Sequence, residues 1–244
     1  MPSEYRLVKQ VVDRLANNND LGEREIAFIV STGSTAAYYA KEIGLCKNET
    51  CYFFSNLNPF KKYSNQSLNE ISRVSYLSGP GEASASMNGT IAISRSEFRI
   101  IDAKENFLAC TIGHELSHIL NFDTYKSSFK VPIKGKKLNE THRKELLAHY
   151  KREAETTADI DGQEMVLRAG YPITSCIDQM EFLMKTRSVV QPSKLDTHPS
   201  FPNRIKTLKD ALISQRKKLF KEQTKTKLKW EYHRDLNILK FIPL

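Results

Sequence analysis

Two imidazoles and a carboxylate interrupt the apolar stretch TIGHELSHIL, which spans residues 111–120. On a helix, His114 and His118 are four residues apart and lie one above the other on one face. A single zinc ion can bridge two imidazole nitrogens at that separation. Glu115 projects about 100° further around the helix, where it can reach a water molecule rather than the metal. The stretch therefore has the H-E-x-x-H pattern, in which two histidines bind zinc.

Two histidines are too few for a catalytic zinc ion, which usually has three protein ligands and one exchangeable water. The stretch REAETTADIDG, at residues 152–162, offers the third. Glu155 and Asp159 are four residues apart, so both point to one side of a helix. We expect Glu155 to complete the zinc site and Asp159 to accept a hydrogen bond from His114, which fixes the tautomer of that ring. Taken alone, the same stretch is more typical of a solvated acidic helix face.

The elements that must position these residues follow from the apolar periodicity and the turn residues. Helical spacing predicts helices over residues 4–16, 34–43, 103–121, 139–169, a following segment that ends near 185, and 203–218. Strands are predicted at 26–30 and 72–77, with a strand pair over 83–94, and loops at 55–70, 126–138 and 191–202. Strands that come early and helices that come late indicate an α+β fold, mainly helical, with a small sheet next to the His114 helix.

The two motifs in this order resemble the zinc metallopeptidases of family forty-eight, which includes the heat-shock protease HtpX and the type-I CAAX prenyl proteases. Residues 114–118 read HELSH and residues 155–162 read ETTADIDG. Residues 197–204, THPSFPNR, resemble the family's T-H-P-x-x-x-x-R segment. The resemblance covers about residues 72–210. The chain departs from the family at Glu82, where an asparagine is usual, and it lacks the transmembrane segments that are common there.

The resemblance implies a gluzincin-type fold and a zinc-dependent endopeptidase with one Zn²⁺ per chain. Glu115 is then the general base, which takes a proton from water and delivers it to the leaving amine. The oxyanion needs a further donor, for which His198 is the candidate and Arg204 the alternative. His198 could instead occupy the open zinc position. Arg204 could instead anchor its loop by pairing with Asp159 or Asp161.

The expected substrate is an extended or unfolded polypeptide. We expect the strand formed by Ala83, Ser84 and Ala85 to bind it by strand addition, in which backbone hydrogen bonds give affinity with little side-chain preference. The alternative function is not enzymatic. The protein would then be chaperone-like or would bind an anionic partner, with a structural zinc site that His198 closes.

Charge is concentrated at the end of the chain. Residues 216–244 hold nine basic and three acidic side chains, which accounts for +6 of the formal net charge of +9. The basic residues are interleaved with Gln and Thr, which is typical of a solvated amphipathic helix end. An anionic partner is the alternative. Nucleic acid is not expected, because stacking aromatic residues are not clustered with the bases.

Length and cysteine content lead to expectations about domain organisation and cellular compartment. The 244 residues suit a metallopeptidase domain at 71–213, an N-terminal helical and extended region at 1–70 that packs on it, and a basic C-terminal extension at 214–244. With no membrane-spanning apolar run and no signal-peptide segment, we expect a cytoplasmic protein, or an exported or periplasmic one if a leader was removed. Cys46 and Cys51 flank a short turn and could bridge in an oxidising compartment. We expect all four cysteines to be thiols.

Overall fold

The computed structural model describes residues 1–186, 193–218 and 225–244. These residues form a mainly helical α+β fold, as the sequence predicted. The helices are α1 Ser3–Ala16, α2 Ser34–Glu42, α3 Tyr52–Ser55, α4 Gln66–Ser78, α5 Arg95–Ile100, α6 Glu105–Leu120, α7 Asp123–Lys134, α8 Glu140–Arg168, α9 Ser175–Thr186 and α10 Phe201–Lys218. The strands are β1 Ile26–Ser31, β2 Ala83–Ala85, β3 Thr90–Ser94, β4 Leu228–His233 and β5 Ile238–Pro243.

One mixed sheet joins the five strands in the order β2-β3-β1-β5-β4. β1 pairs parallel with β3 and antiparallel with β5, so the earliest and the latest strands of the chain are neighbours. Ile26, Phe28 and Val30 alternate along β1 and are fully or almost fully buried, as expected for the middle of a sheet covered by helices. β2 lies at one edge of the sheet, paired with β3 alone among the described strands.

Helix α1 packs on this sheet through residues at helical spacing, among them Tyr5, Val8 and Leu15, which are fully buried. The Tyr5 hydroxyl donates to Asn237 O at 2.6 Å and accepts from Val30 N at 2.9 Å. The N-terminal helix, the central strand and the C-terminal hairpin are thereby tied together. Segments from all three predicted regions contribute to this one sheet, and the division into 1–70, 71–213 and 214–244 stays a prediction.

The long helix α8 lies against α6, and the two backbones almost touch. The side chain of Asn139 accepts a hydrogen bond from His142 N, which caps α8, and Gly170, with φ +73°, follows its end. A Cβ atom on Gly162 would lie 2.7 Å from His114 N, so a side chain there would push α6 away. The glycines Gly113 and Gly162 therefore set the separation of the two helices.

Three local predictions were wrong. Residues 66–70, the last part of the loop predicted at 55–70, belong to α4, which begins at Gln66. Residues 72–77, predicted as a strand, belong to α4, because Ile71 and Ser75 are buried one helical turn apart and Asn65 caps the helix through Ser67 N at 2.8 Å. The segment SRVSYL is too short to distinguish the two-residue alternation of a strand from the 3.6-residue period of a helix. Residues 126–138, predicted as a loop, mostly form α7, which contains Pro132.

The expectation of a solvated helix end in the C-terminal segment was also wrong. β4 and β5 form an antiparallel hairpin within the described residues 225–244. Trp230 docks this hairpin on α1, since its Nε1 donates to Asp13 Oδ1 at 2.7 Å. Lys240 forms ion pairs with Glu25 and Glu231, at 3.1 and 3.3 Å. Residues 228–233, LKWEYH, alternate between apolar and polar, the period of a half-buried strand, and Leu228, Trp230 and Tyr232 pack on the core. The prediction failed because it followed the basic composition of the segment and not this alternation.

The prediction of four thiols was wrong as well. Cys46 is bonded to Cys51, and Cys110 of α6 is bonded to Cys176 of α9. The second pair is separated by 66 residues, and its Cα atoms lie 5.3 Å apart because α6 and α9 pack side by side. The prediction failed because this proximity depends on helix packing. Among the described helices, none has an apolar stretch as long as the core of a bilayer requires.

Candidate metal centre

Helices α6 and α8 bring His114, His118 and Glu155 together. One potential ligand atom from each of the three lies within 4.8 Å of the others. The two Nε2 atoms are 3.1 Å apart. The Glu155 carboxylate is 3.2 Å from His114 Nε2 and 3.4 Å from His118 Nε2. The three side chains that the sequence selected as metal ligands thus converge on one point.

His114 is oriented by a buried carboxylate that is itself held in place. His114 Nδ1 lies 3.0 Å from Asp159 Oδ1, one turn of α8 beyond Glu155. The guanidinium of Arg204 donates two hydrogen bonds to Asp159, from Nε at 2.7 Å and from Nη2 at 2.5 Å. Burial raises the pKa of Asp159, but the hydrogen bonds from Arg204 and His114 outweigh it and hold this pKa below its usual range. Asp159 therefore stays a carboxylate, and the imidazole of His114 is fixed.

His118 has a corresponding partner that the sequence reasoning missed. Its Nδ1 lies 2.9 Å from Asp123 Oδ2, on the first residue of α7. Phe122, with φ 53°, turns the chain back on itself just after α6, so that Asp123 faces the ring. The available signal was an acidic residue five positions after His118, directly beyond the end of the helix.

The site attracts positive charge. Burial lowers the pKa of His114, but its contacts with Asp159 and Glu155 outweigh this and raise it to about 8. For His118, burial is likewise outweighed by Asp123 and Glu155, and its pKa rises to about 10. Burial raises the pKa of Glu155, yet the two imidazoles hold it well below its usual range.

The same residues fit a metal ion. Each imidazole has its Nδ1 engaged by a carboxylate, which leaves the two Nε2 atoms directed at each other. Glu155 Oε2 is buried and accepts no well-aligned hydrogen bond from the described residues. A cation between these three acceptors would satisfy all of them, and two imidazoles with one carboxylate are a ligand set typical of catalytic zinc.

Glu115 lies next to the ligands, on α6, and is 6 % exposed. Burial raises the pKa of its carboxyl group, and the neighbouring imidazoles of His114 and His118 oppose that rise. A carboxylate with a raised pKa accepts a proton near neutral pH more readily than an exposed glutamate does, as a general base requires.

An open cleft of about 830 Å³ gives access to these side chains. Ala83, at the start of the edge strand β2, lies on its wall together with Cys110 and Leu183. Ser84 is exposed, whereas Ala83 and Ala85 are half-buried. The structure therefore places the predicted substrate-binding strand at the rim of the cleft that contains Glu115.

His198 and Arg204 both line this cleft, in different situations. His198 Nε2 lies 3.4 Å from Glu155 Oε1, and its side chain is 63 % exposed. It is not among the converging ligand atoms found in the described part of the chain. The side chain of Arg204 is 12 % exposed and forms an ion pair with Asp159, which supports the anchoring role that the sequence left open for it.

Two histidines one helical turn apart and a glutamate from a neighbouring helix form a group that could hold a metal ion. The comparison with known families agrees. Residues 140–212 match the family described as Peptidase family M48, a segment that includes Glu155, Asp159, His198 and Arg204. This match confirms the resemblance seen in the sequence and indicates a protease. No curated protein matches the chain, and no solved structure does.

Proposed function

We propose that this protein is a zinc-dependent endopeptidase that hydrolyses peptide bonds of extended or unfolded polypeptides. The observation that carries the proposal is the convergence of His114, His118 and Glu155 in an open cleft, with Glu115 beside them. The match of residues 140–212 to a peptidase family supports it, and the H-E-x-x-H motif of α6 lies outside that segment and adds its own support.

In the proposed mechanism, His114, His118 and Glu155 hold one Zn²⁺ per chain. When bound, zinc supplies Lewis acidity, which makes a water molecule more acidic and polarises a carbonyl group. Glu115 takes one proton from the attacking water and delivers it to the nitrogen of the leaving amine. The water oxygen forms a new bond to the carbonyl carbon and the C–N bond breaks. Glu115 is again a carboxylate because it has passed its proton to the amine.

His198 is the proposed donor to the oxyanion. Its imidazole is mostly exposed to the cleft and lies next to Glu155, so it can approach a substrate carbonyl from the open side. Arg204 contributes indirectly in this scheme: its two hydrogen bonds fix Asp159, and Asp159 fixes His114. We therefore treat Arg204 as a positioning residue.

The edge of β2 is the proposed binding surface for the substrate backbone. Ala83 and Ala85 present small side chains, so an extended peptide can approach the strand closely. Affinity would come from main-chain hydrogen bonds, which do not depend on substrate sequence. The expected substrates are accordingly segments that are not already folded.

The decisive experiment replaces Glu115 with glutamine and measures both casein cleavage and zinc content. We expect cleavage to fall at least about a hundredfold, because general-base catalysis contributes that much, while zinc remains bound. The matched control is Glu153→Gln, an exposed position on α8, which should cleave like the unmodified protein. Retained zinc with an unchanged cleavage rate in the Glu115→Gln protein would refute the mechanism.

One observation favours the second candidate, a non-catalytic protein with a closed zinc site. His198 lies 3.4 Å from a proposed metal ligand, close enough for a small loop movement to bring it to the metal. Replacing His198 with alanine separates the two functions. Cleavage should fall if His198 stabilises the oxyanion, and it should appear or increase if His198 blocks the metal.

The disulfides bear on where the protein works. Disulfide bonds persist in oxidising compartments and are rare in the cytosol. Two disulfides without a free cysteine among the described residues favour an exported protein over the cytoplasmic location expected from the sequence. Titration of free thiols in protein purified without reductant tests this: four thiols per chain would support the cytosol.

A further inference from the structure

Helix α7 leaves a row of large apolar side chains uncovered. Ser127 and Val131, on the side that faces α8, are half-buried, and no residue of α7 is buried. The α7 stripe consists of apolar side chains on the opposite side, which are between 52 and 72 % exposed: Phe122, Tyr125, Phe129 and Ile133. Tyr125, Phe129 and Ile133 recur every fourth residue, so they form one continuous strip, and the rings of Tyr125 and Phe129 are 4.5 Å apart.

A row of lysines runs along one flank of the α7 stripe. Lys126, Lys130 and Lys134 each follow an apolar stripe residue by one position, so the two rows are parallel. All three lysines are exposed, and the ammonium groups of Lys130 and Lys134 also lie over the Tyr150 ring of α8, 5.1 and 5.4 Å from its centroid. Lys136 and Lys137 extend the positive charge just beyond the helix. The acidic residue of this segment, Asp123, is engaged by His118. Residues 122–138 thus hold five basic side chains against one acidic one.

We propose that α7 binds the surface of an anionic lipid bilayer, with the α7 stripe inserted among the acyl chains and the lysines at the phosphate groups. An amphipathic helix with an aromatic and aliphatic strip beside a lysine row is the form that binds at this interface. Its apolar side chains gain by leaving water, and each lysine is attracted to the negative surface.

Charge favours lipid over the other occupants of such a face. A second copy of this chain would bring an identical lysine row to a contact between two molecules with a formal net charge of +9 each. An apolar polypeptide segment would cover the stripe but would bring no negative charge to the lysines. An anionic bilayer satisfies both rows together.

The position of α7 links this surface to the metal centre. Asp123, its first residue, holds His118, so the stripe begins within one turn of a proposed metal ligand. A bilayer under α7 would lie close to the cleft. The lipid-binding proposal itself does not rest on peptidase activity, and its test uses lipid alone.

The experiment is co-sedimentation of the full-length protein with vesicles of phosphatidylcholine, with and without an equal part of phosphatidylglycerol. Binding is expected to the anionic vesicles, weak or absent with neutral ones, and reduced by added salt. The double variant Phe129→Ser/Ile133→Ser and the triple variant Lys126→Gln/Lys130→Gln/Lys134→Gln should each bind the anionic vesicles about tenfold more weakly or worse.

The matched control is Leu77→Ser/Ile213→Ser, which removes two exposed apolar side chains of α4 and α10 that are 54 and 69 % exposed. It should bind vesicles like the unmodified protein. The α7 variants are expected to keep the circular dichroism spectrum and the casein cleavage of the parent, because they alter solvent-exposed residues outside the cleft.

Three results would overturn the proposal. The first is equal binding of the parent and both α7 variants to anionic vesicles. The second is equal binding of the parent to neutral and anionic vesicles, with no effect of salt. The third is absence of binding to anionic vesicles. If Phe129→Ser/Ile133→Ser then also converts a dimer to a monomer in analytical ultracentrifugation, the stripe is assigned to a second copy of the chain.

Discussion

Helix α8 contacts two neighbours in very different ways. Against α6 it places Gly162 beside Gly113, so that backbone meets backbone, and α6 is further bonded to α9 through Cys110 and Cys176. Against α7 it uses half-buried side chains, and the far side of α7 is left to solvent. The first contact fixes the geometry of the proposed metal centre, and the second leaves one side of α7 exposed to solvent.

The two imidazoles of the proposed site are held by carboxylates from these two different regions. His114 depends on Asp159, which is buried in the central contact and bonded to Arg204. His118 depends on Asp123, which belongs to the peripheral helix. We infer that one ligand is anchored by the core of the fold and the other by a segment that can change with little effect on stability.

Loss of the central disulfide should have the largest effect on stability. Cys110→Ser/Cys176→Ser removes a cross-link between residues 66 apart, which should lower the free energy of unfolding by about 4 kcal/mol. Cys46→Ser/Cys51→Ser, which opens a separation of 5 residues, should lower it by about 2 kcal/mol. Chemical denaturation without reductant measures both, and two equal values would contradict the assignment of the longer bridge to the core.

The second-largest loss of stability is expected for Asp159→Asn, because this change leaves the largely buried guanidinium of Arg204 without its carboxylate. We expect the free energy of unfolding of the metal-free protein to fall by about 3 kcal/mol. The exposed ion pair of Asp210 with Lys206 provides the control. Asp210→Asn should change the free energy of unfolding by less than about 1 kcal/mol. If Asp159→Asn changes the free energy of unfolding as little as Asp210→Asn does, Arg204 must form an ion pair or hydrogen bonds with another partner.

Gly162→Ala tests the backbone contact directly. The added methyl group meets His114 N and the Gly113 carbonyl carbon at 2.7 and 2.9 Å, so the helices must separate. We expect a loss of about 2 kcal/mol in unfolding free energy and weaker zinc binding, measured by denaturation and by competition with a chelating dye. Thr157→Ala, at an exposed position of the same helix, should leave zinc binding unchanged.

Asp123→Asn should have the smallest effect on stability, below about 1 kcal/mol, since this residue belongs to the peripheral helix. Zinc affinity should nevertheless fall about 10- to 100-fold, because a neutral amide no longer holds the His118 ring as the carboxylate does. If Asp123→Asn destabilises the metal-free protein as much as Asp159→Asn, the distinction between the two regions is wrong.

The helix pair of the proposed site could be predicted because its signals are local. His114 and His118 share a face through their spacing, and so do Glu155 and Asp159. The predicted helix at 139–169 also matches α8 closely, because Gly170, with φ +73°, follows its end. Each of these signals lies within a few turns of one helix.

What the sequence did not reveal depends on contacts between distant parts of the chain. Cys110 meets Cys176 only because α6 packs on α9, and β5 finds β1 only through the sheet. Asp123 was overlooked because its contact with His118 requires a left-handed backbone conformation at Phe122, which is uncommon for phenylalanine and was not predicted. Helix α7 was missed because Pro132 and the lysines are typical of a loop, and because none of its residues is buried.

The pairing of β1 with β5 has a consequence for how the chain folds as it is made. More than 200 residues separate the two strands, so at ordinary rates of translation β1 leaves the ribosome roughly 10–40 s before its partner exists. Throughout that interval one long side of an apolar strand has no permanent hydrogen-bonding neighbour. The nascent polypeptide is then most exposed to mispairing, and we expect a holding chaperone to raise the yield of native protein most when it acts before the last hairpin is synthesised.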